Sequence, residues 1–227
     1  MGKEKSERIQ TSILNAAEKK ALKWLADRLP GWVTSDMLTY TGVIGAVVCA
    51  LGFILADKSV YWLWLANLGL FINWYGDSLD GTLARVRNQQ RPKYGFFIDH
   101  SMDVVTISVM CIGAGFSPLF DLNIAFFVLV GYMSLSIYTY VSTIVADQFR
   151  LTYGAMGPTE FRLIFVILNI IFMYTGAANC SWEICGTEWS LYNIIGFAVG
   201  VILVIVWFSQ FFKDRSRLAK EDPLVKK

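Results

Sequence analysis

The stretch from Gly76 to Asp103, GDSLDGTLARVRNQQRPKYGFFIDHSMD, sets four aspartates and the chain's only histidine between two long apolar runs. The rest of the chain says what kind of runs these are. Of 227 residues, 55% are hydrophobic and 15% aromatic, and the mean hydropathy is +0.48. A soluble domain of this length carries far more charge, so the composition points to a membrane protein. A bilayer-spanning helix needs roughly 20 apolar residues. Runs of that kind recur over 37–56, 60–80, 96–115, 122–145, 160–178 and 190–212. The expected fold is therefore an all-α integral membrane protein with six transmembrane helices. The quoted stretch interrupts the second and third runs on their loop-proximal sides.

The placement of Lys and Arg predicts sidedness, because basic residues gather on the cytoplasmic face. Nineteen of the 20 lie in 1–36, in the loop carrying Arg85, Arg87, Arg91 and Lys93, around Arg150 and Arg162, or in the tail, and only Lys58 falls on the other side. Both termini and the aspartate-rich loop are thus expected in the cytoplasm. The first 30 residues show no continuous apolar core and keep charges throughout, so no signal peptide is expected there. Instead Ile9, Ile13, Ala17, Ala21 and Leu25 fall at helical spacing, flanked by Lys19, Lys20, Lys23 and Arg28. That pattern predicts an amphipathic helix lying in the cytoplasmic interface. The expected organisation is this lead-in over 1–36, a six-helix domain over 37–212 and a basic cytoplasmic tail over 213–227.

Cys49 and Cys111 lie inside spans and are expected to pack. Cys180 and Cys185 share an expected outer loop, where a small disulfide would form in an oxidising compartment. No histidine or second cysteine pair accompanies them to make a zinc site. Asn179-Cys180-Ser181 also fits a glycosylation sequon.

Asp77 and Asp80 lie three residues apart and, with Gly81 and Ala84, share one helix face. Gly95, Asp99 and Asp103 are spaced by four and align on one face of the next helix. A turn at Pro92 makes the two helices antiparallel neighbours, so four carboxylates converge on one interhelical groove. At about 1.5 Å of rise per residue, Asp77 lies ~12–15 Å from the loop, inside the membrane but open to the cytosol. Carboxylates at that depth cost several kcal/mol each unless neutralised. Hard divalent ions take such oxygen ligands, and two of them suit phosphoryl-type displacement. Small Gly81, Ala84 and Gly95 let a bulky phosphorylated group approach, and Arg85 is a planar fork for phosphate oxygens. Two other readings use the same acids. They could pair with Arg85, Arg87, Arg91 and Lys93 to cap a loop, or they could line the path of a cation channel or transporter.

DSLDGTLAR (Asp77 to Arg85) followed by GFFIDHSMD (Gly95 to Asp103) resembles the signature of the CDP-alcohol phosphotransferase family, also called CDP-alcohol phosphatidyltransferases. VTSDMLTYTG (Val33 to Gly42) is similar to that family's approach to its first span. The resemblance implies six transmembrane helices, cytoplasmic termini, an N-terminal interfacial helix and a homodimer. It implies that Asp77, Asp80, Asp99 and Asp103 bind two divalent cations, Mg²⁺ first and Mn²⁺ as the substitute. Asp77, Gly81, Ala84, Arg85 and Gly95 would hold the nucleotide. Asp103 would be the base that deprotonates an acceptor hydroxyl, which attacks the β-phosphorus and releases CMP. The DHSMD segment is similar to the D-H-x-x-D form of the choline/ethanolamine phosphotransferase branch, where the histidine is a candidate base. An imidazole suits proton abstraction near neutral pH, so Asp103 and His100 both stand as candidates. GAMGPTEFR (Gly154 to Arg162) loosely resembles the same branch and brings in Glu160 and Arg162 as substrate-positioning residues.

The resemblance implies a metal-dependent transferase of phospholipid synthesis. Its partners are a CDP-linked alcohol, a lipid or polar hydroxyl acceptor and membrane lipids, with no nucleic acid. His100 favours a CDP-aminoalcohol donor and a diacylglycerol-type acceptor. The alternative is transfer from CDP-diacylglycerol to inositol phosphate, glycerol phosphate or serine, to which the short length is similar. An idle scaffold is disfavoured because every acid of the motif is present.

Overall fold

The computed structural model describes residues 8–9, 14–146, 149–150, 158–176, 180–184 and 186–223. Seven helices dominate the described residues: α1 (Asn15–Ala26), α2 (Ser35–Leu55), α3 (Leu63–Val86), α4 (Pro92–Gly115), α5 (Leu122–Ala146), α6 (Pro158–Thr175) and α7 (Leu191–Glu221). Two short strand pairs add to them. β1 (Arg8–Ile9) runs parallel to β2 (Phe149–Arg150), and β3 (Ser181–Ile184) forms a hairpin with β4 (Thr187–Ser190). Cys185 and Asn179 lie outside the described residues, and with them the disulfide and sequon readings.

Among the described residues, five helices (α2, α4, α5, α6 and α7) are long and apolar enough to cross a membrane. The chain is an all-α integral membrane protein. α3 is as long as α4, but Asn67, Asn73, Asp77, Asp80 and Arg85 lower its hydropathy. Exposed side chains are apolar where lipid would cover them: Ile44, Val47, Leu51 and Ile54 form one stripe on α2. Trp24, Trp32, Tyr61, Trp62 and Trp64 are exposed near helix ends, where aromatic rings favour the headgroup level.

Helix ends follow local chemistry. Thr34 caps α2 by accepting from Met37 N at 3.2 Å, and Ser190 caps α7 by accepting from Asn193 N at 3.1 Å. α3 ends in a Schellman turn: Gln89 N donates to Ala84 O and Asn88 N to Arg85 O. Asn88 takes the left-handed φ of 56° that the turn requires, a conformation asparagine tolerates. α4 then starts with Pro92 in its first turn, where a missing N–H costs nothing.

The structure differs from the sequence expectation at three places. The amphipathic helix is shorter, over Asn15–Ala26, and Ile9 lies in β1. α7 does not stop near 212 but continues to Glu221, just short of Pro223. Its last turns contain no breaker and carry the ion pairs Asp214–Arg217 (3.2 Å) and Arg217–Glu221 (3.9 Å). Finally, α4 packs chiefly on α2 and α5 rather than against α3. The two aspartate-bearing helices therefore face each other across open space.

α2 and α3 form the tightest pair in the fold. A Cβ on Gly45 would lie 2.8 Å from Gly69 O and from Asn73 Cα, so the two backbones are in direct contact. At one end of this pair, Leu22, Ala26, Val33, Leu38, Leu79 and Leu83 form a core that seats α1 on α3. At the other, Cys49, Phe53, Leu63, Ala66, Phe172 and Tyr192 join α2, α3, α6 and α7. Within that second core Asn169 donates to Asn67 at 2.7 Å and accepts from the Tyr192 hydroxyl. The aspartates lie between the two cores.

Candidate active site

α3 presents its acids through its close contact with α2. Asp80 is buried; its Oδ2 accepts from Thr39 Oγ1 at 2.6 Å and its Oδ1 from Gly81 N. Ser35 Oγ donates to the Asp80 carbonyl at 2.9 Å. Asp77, on the adjoining face, pairs with Arg162 of α6 at 2.6 Å. α4 supplies the opposite wall. Ligand atoms of Asp99, His100 and Asp103 all lie within 4.8 Å of one another. Asp103 is in electrostatic range of Asp77, Asp99, Asp80 and Arg162. All four aspartates line one groove of about 2400 Å³, and Asp77, Asp99 and Asp103 also share a smaller recess with Thr39 and Asn73.

The imidazole of His100 lies between two aromatic rings, one tilted against it by 37° and the other by 42°. Its ring lies 4.1 Å from that of Phe96, one turn earlier, and 4.4 Å from that of Tyr140 on α5. Nδ1 sits 3.4 Å from Asp99 Oδ2. His100 thus borders the carboxylates from the α5 side and lines the groove, but not the recess.

Gly81, Ala84, Arg85 and Gly95 line the same groove. A Cβ on Gly95 would meet nothing within 4 Å, and one on Gly81 would meet only Arg85 NH1 at 3.4 Å. These glycines leave free space rather than close a helix contact. Arg85 is held by Thr82, to which it donates at 2.9 Å. Arg162 lines the groove, whereas Glu160 is buried outside its lining and accepts from Leu14 N at 3.1 Å.

Two of the loop cations turn away from the acids. Arg87 donates to the carbonyls of Leu29 (3.0 Å) and Pro30 (2.9 Å), and Arg91 pairs with Asp36 at 2.8 Å. These two cations therefore do not neutralise the cluster. Four carboxylates face a groove in which Arg162 pairs with one of them, and the remaining negative charge, carried on hard oxygen donors, fits divalent cations.

Some groove residues were not legible in the sequence. Thr39 contacts Asp80 across 41 positions, and Tyr140 meets His100 from another helix. Lys19 and Lys23 of α1 also reach the groove. Only the motif-like segment Val33 to Gly42 hinted at Thr39.

The sequence model of the family described as CDP-alcohol phosphatidyltransferase matches residues 32–210, from just before α2 into α7. Cholinephosphotransferase 1 of Gallus gallus is 28% identical over 191 residues, covering 78% of this chain and 55% of that protein. The Homo sapiens protein of the same name is 28% identical over 189 residues, covering 79% and 46%. That of Danio rerio is 25% identical over 195 residues, covering 79% and 49%. The chain spans about half the length of the curated relatives it matches.

Proposed function

The chain belongs to the CDP-alcohol phosphatidyltransferase family, and on that premise we propose that it transfers a substituted phosphate from a CDP-linked alcohol to an acceptor hydroxyl, releasing CMP. The observation that carries this reading is the convergence of Asp77, Asp80, Asp99 and Asp103 with His100 on one groove that small residues keep open. The resemblance of DHSMD to the choline/ethanolamine branch and the cholinephosphotransferase relatives favour a CDP-aminoalcohol donor and a diacylglycerol-type acceptor.

The four aspartates would hold two divalent cations, Mg²⁺ with Mn²⁺ as substitute, which would supply charge neutralisation of the diphosphate and Lewis-acid polarisation at phosphorus. Gly81, Ala84 and Gly95 give the nucleotide access, and Arg85, Lys19 and Lys23 meet phosphate oxygens from the rim. Asp103 shares its recess with Asp77 and Asp99, which suits a ligand. His100, held against Tyr140 outside that recess and facing Asp99, takes the hydroxyl proton. The acceptor oxygen then bonds to the β-phosphorus, the bond to the bridging oxygen breaks, and that oxygen leaves with CMP. Arg162 orients the groove wall through Asp77. α3 counts as a sixth span, the termini and groove mouth face the cytoplasm, and the enzyme works as a homodimer.

The test is an assay of purified protein in lipid, with and without Mg²⁺. One arm offers labelled CDP-choline or CDP-ethanolamine with diacylglycerol; the other offers CDP-diacylglycerol with inositol phosphate, glycerol phosphate or serine. CMP release in the first arm, abolished in Asp80→Asn, is the expected result. Release only in the second reverses the direction of transfer. Release in neither overturns the enzyme reading and leaves a cation path as the explanation of the acids.

A further inference from the structure

We propose that Glu18 of the amphipathic helix α1 is a positioning residue that holds Asp77 and Arg162 in register for the groove. The proposal rests on the activity reading above only for its kinetic readout.

One carboxylate oxygen of Glu18 accepts from groups on two other helices. Trp74 Nε1 of α3 donates at 2.8 Å and Thr159 Oγ1 of α6 at 2.7 Å, with Ser78 Oγ of α3 at the edge of reach, 3.5 Å. Hydrogen bonds to an ionised acceptor are about twice as strong as neutral ones. The link is reciprocal: Glu160, next to Thr159 on α6, accepts from Leu14 N at the start of α1. That amide belongs to a helix start and has no acceptor within its own helix. Two neighbouring residues of the first turn of α6 therefore grip α1. Leu22 and Ala26 seat the rest of α1 on Leu79 and Leu83 of α3.

The position of this clamp relates it to the chemistry. Trp74 and Ser78 lie one turn apart on α3 and flank Asp77. Thr159 precedes Arg162 by three residues, so the two share one side of α6. Arg162 bonds Asp77 at 2.6 Å. α3 and α6 are thus bridged twice at the same level, once through Glu18, which with Ser78 and Thr159 also lines the groove, and once through Asp77 and Arg162. The next side-chain bridge among the described residues is Asn67–Asn169, seven to ten residues further along each helix. Without Glu18, the first turn of α6 keeps its direct bridge to α3 through Arg162 and Asp77 and its link to α1 through Glu160, and the placement of Asp77 rests on these alone.

The test is direct Mn²⁺ titration of the full chain in lipid nanodiscs, which reads the carboxylate site without turnover. Glu18→Ala should weaken Mn²⁺ binding about tenfold, the scale for losing a partner that orients a ligand. Thr159→Val, which removes only the α6 limb, should fall between wild type and Glu18→Ala. Glu18→Gln keeps a carbonyl oxygen able to accept from both donors and should recover most of the affinity. Lys20→Ala, exposed on the same helix, should bind as wild type does. In the transferase assay the Mg²⁺ activation constant should rise in parallel while the donor KM changes little. If Glu18→Ala does not fold, the comparison of Thr159→Val with Glu18→Gln decides. Wild-type Mn²⁺ affinity in Glu18→Ala, or in Thr159→Val where that variant decides, overturns the inference, as does a wild type that binds no Mn²⁺. Absence of CMP release from the wild type overturns the transferase reading and leaves the Mn²⁺ comparison intact.

Discussion

At the residue scale, the proposed roles of His100 as base and Asp103 as ligand make the sharpest prediction. They lie three positions apart, and both were candidates for the same proton. Their ligand atoms lie within 4.8 Å of each other, but Asp103 lines the carboxylate recess, whereas the His100 ring lies tilted between Phe96 and Tyr140 outside it. His100→Ala should lower the turnover rate by about 10²- to 10⁴-fold, the range for losing a general base, with Mn²⁺ binding retained. Asp103→Asn should lose metal binding first. The reverse pattern in stopped-flow and Mn²⁺ titration would return the base role to Asp103. Thr39 gives a second prediction. Its hydroxyl is 2.6 Å from a buried Asp80 oxygen, so Thr39→Val leaves that oxygen without its donor. About tenfold weaker divalent-ion activation is expected, with Thr39→Ser restoring it; equal activation in Thr39→Val would remove Thr39 from the site. The aspartates were legible in the sequence because spacings of three and four phase them on a helix face. Thr39 was not, because a contact spanning 41 positions leaves no periodic trace.

At the element scale, glycines of similar local sequence do opposite things. Gly76 sits where α3 crosses α2, and a Cβ there would run into Leu38 O and the backbone of Gly42. Gly95 opens onto the groove with nothing within 4 Å. Gly76→Ala should therefore cost about 1–3 kcal/mol, as overpacking does, and displace the neighbouring Asp77. Gly95→Ala should fold as well as wild type or better, by at most about 1 kcal/mol from helix propensity. Its methyl group enters the nucleotide space, so the donor KM should rise while unfolding in detergent shifts little. An unchanged KM would move the nucleotide away from α4. Helix existence was readable from the apolar runs, but helix ends were not. α7 runs on to Glu221 because its charged turns still favour helix, and apolarity alone gives no sign of that. The open space between α3 and α4 was likewise hidden, since a short loop suggests direct packing and only the tertiary docking of α4 on α2 and α5 prevents it.

For the whole molecule, the deciding question is whether α3 crosses the membrane. Five helices are apolar enough on their own, and α3 is not. It nevertheless lies along α2 backbone to backbone, so its asparagines and aspartates face protein and groove instead of lipid: Asn73 donates to Gly42 O at 3.0 Å and Asn67 meets Asn169. Backbone and polar groups satisfied inside the bundle make such a helix tolerable in hydrocarbon. The count then sets sidedness. With α3 spanning, six crossings put α1, the turn around Asn88 and the end of α7 on one face, and Lys58 on the other. With α3 re-entrant, the end of α7 moves to the face opposite α1. Single cysteines at Gln90, Lys220 and Lys58, placed in a background lacking Cys49, Cys111, Cys180 and Cys185, separate the two. In sealed vesicles a membrane-impermeant thiol reagent should label Gln90→Cys and Lys220→Cys from the same side, and Lys58→Cys only from the other. Labelling of Lys58→Cys from the same side as Gln90→Cys and Lys220→Cys, as a re-entrant α3 requires, would overturn the six-span arrangement and, with it, the proposed cytoplasmic opening of the groove.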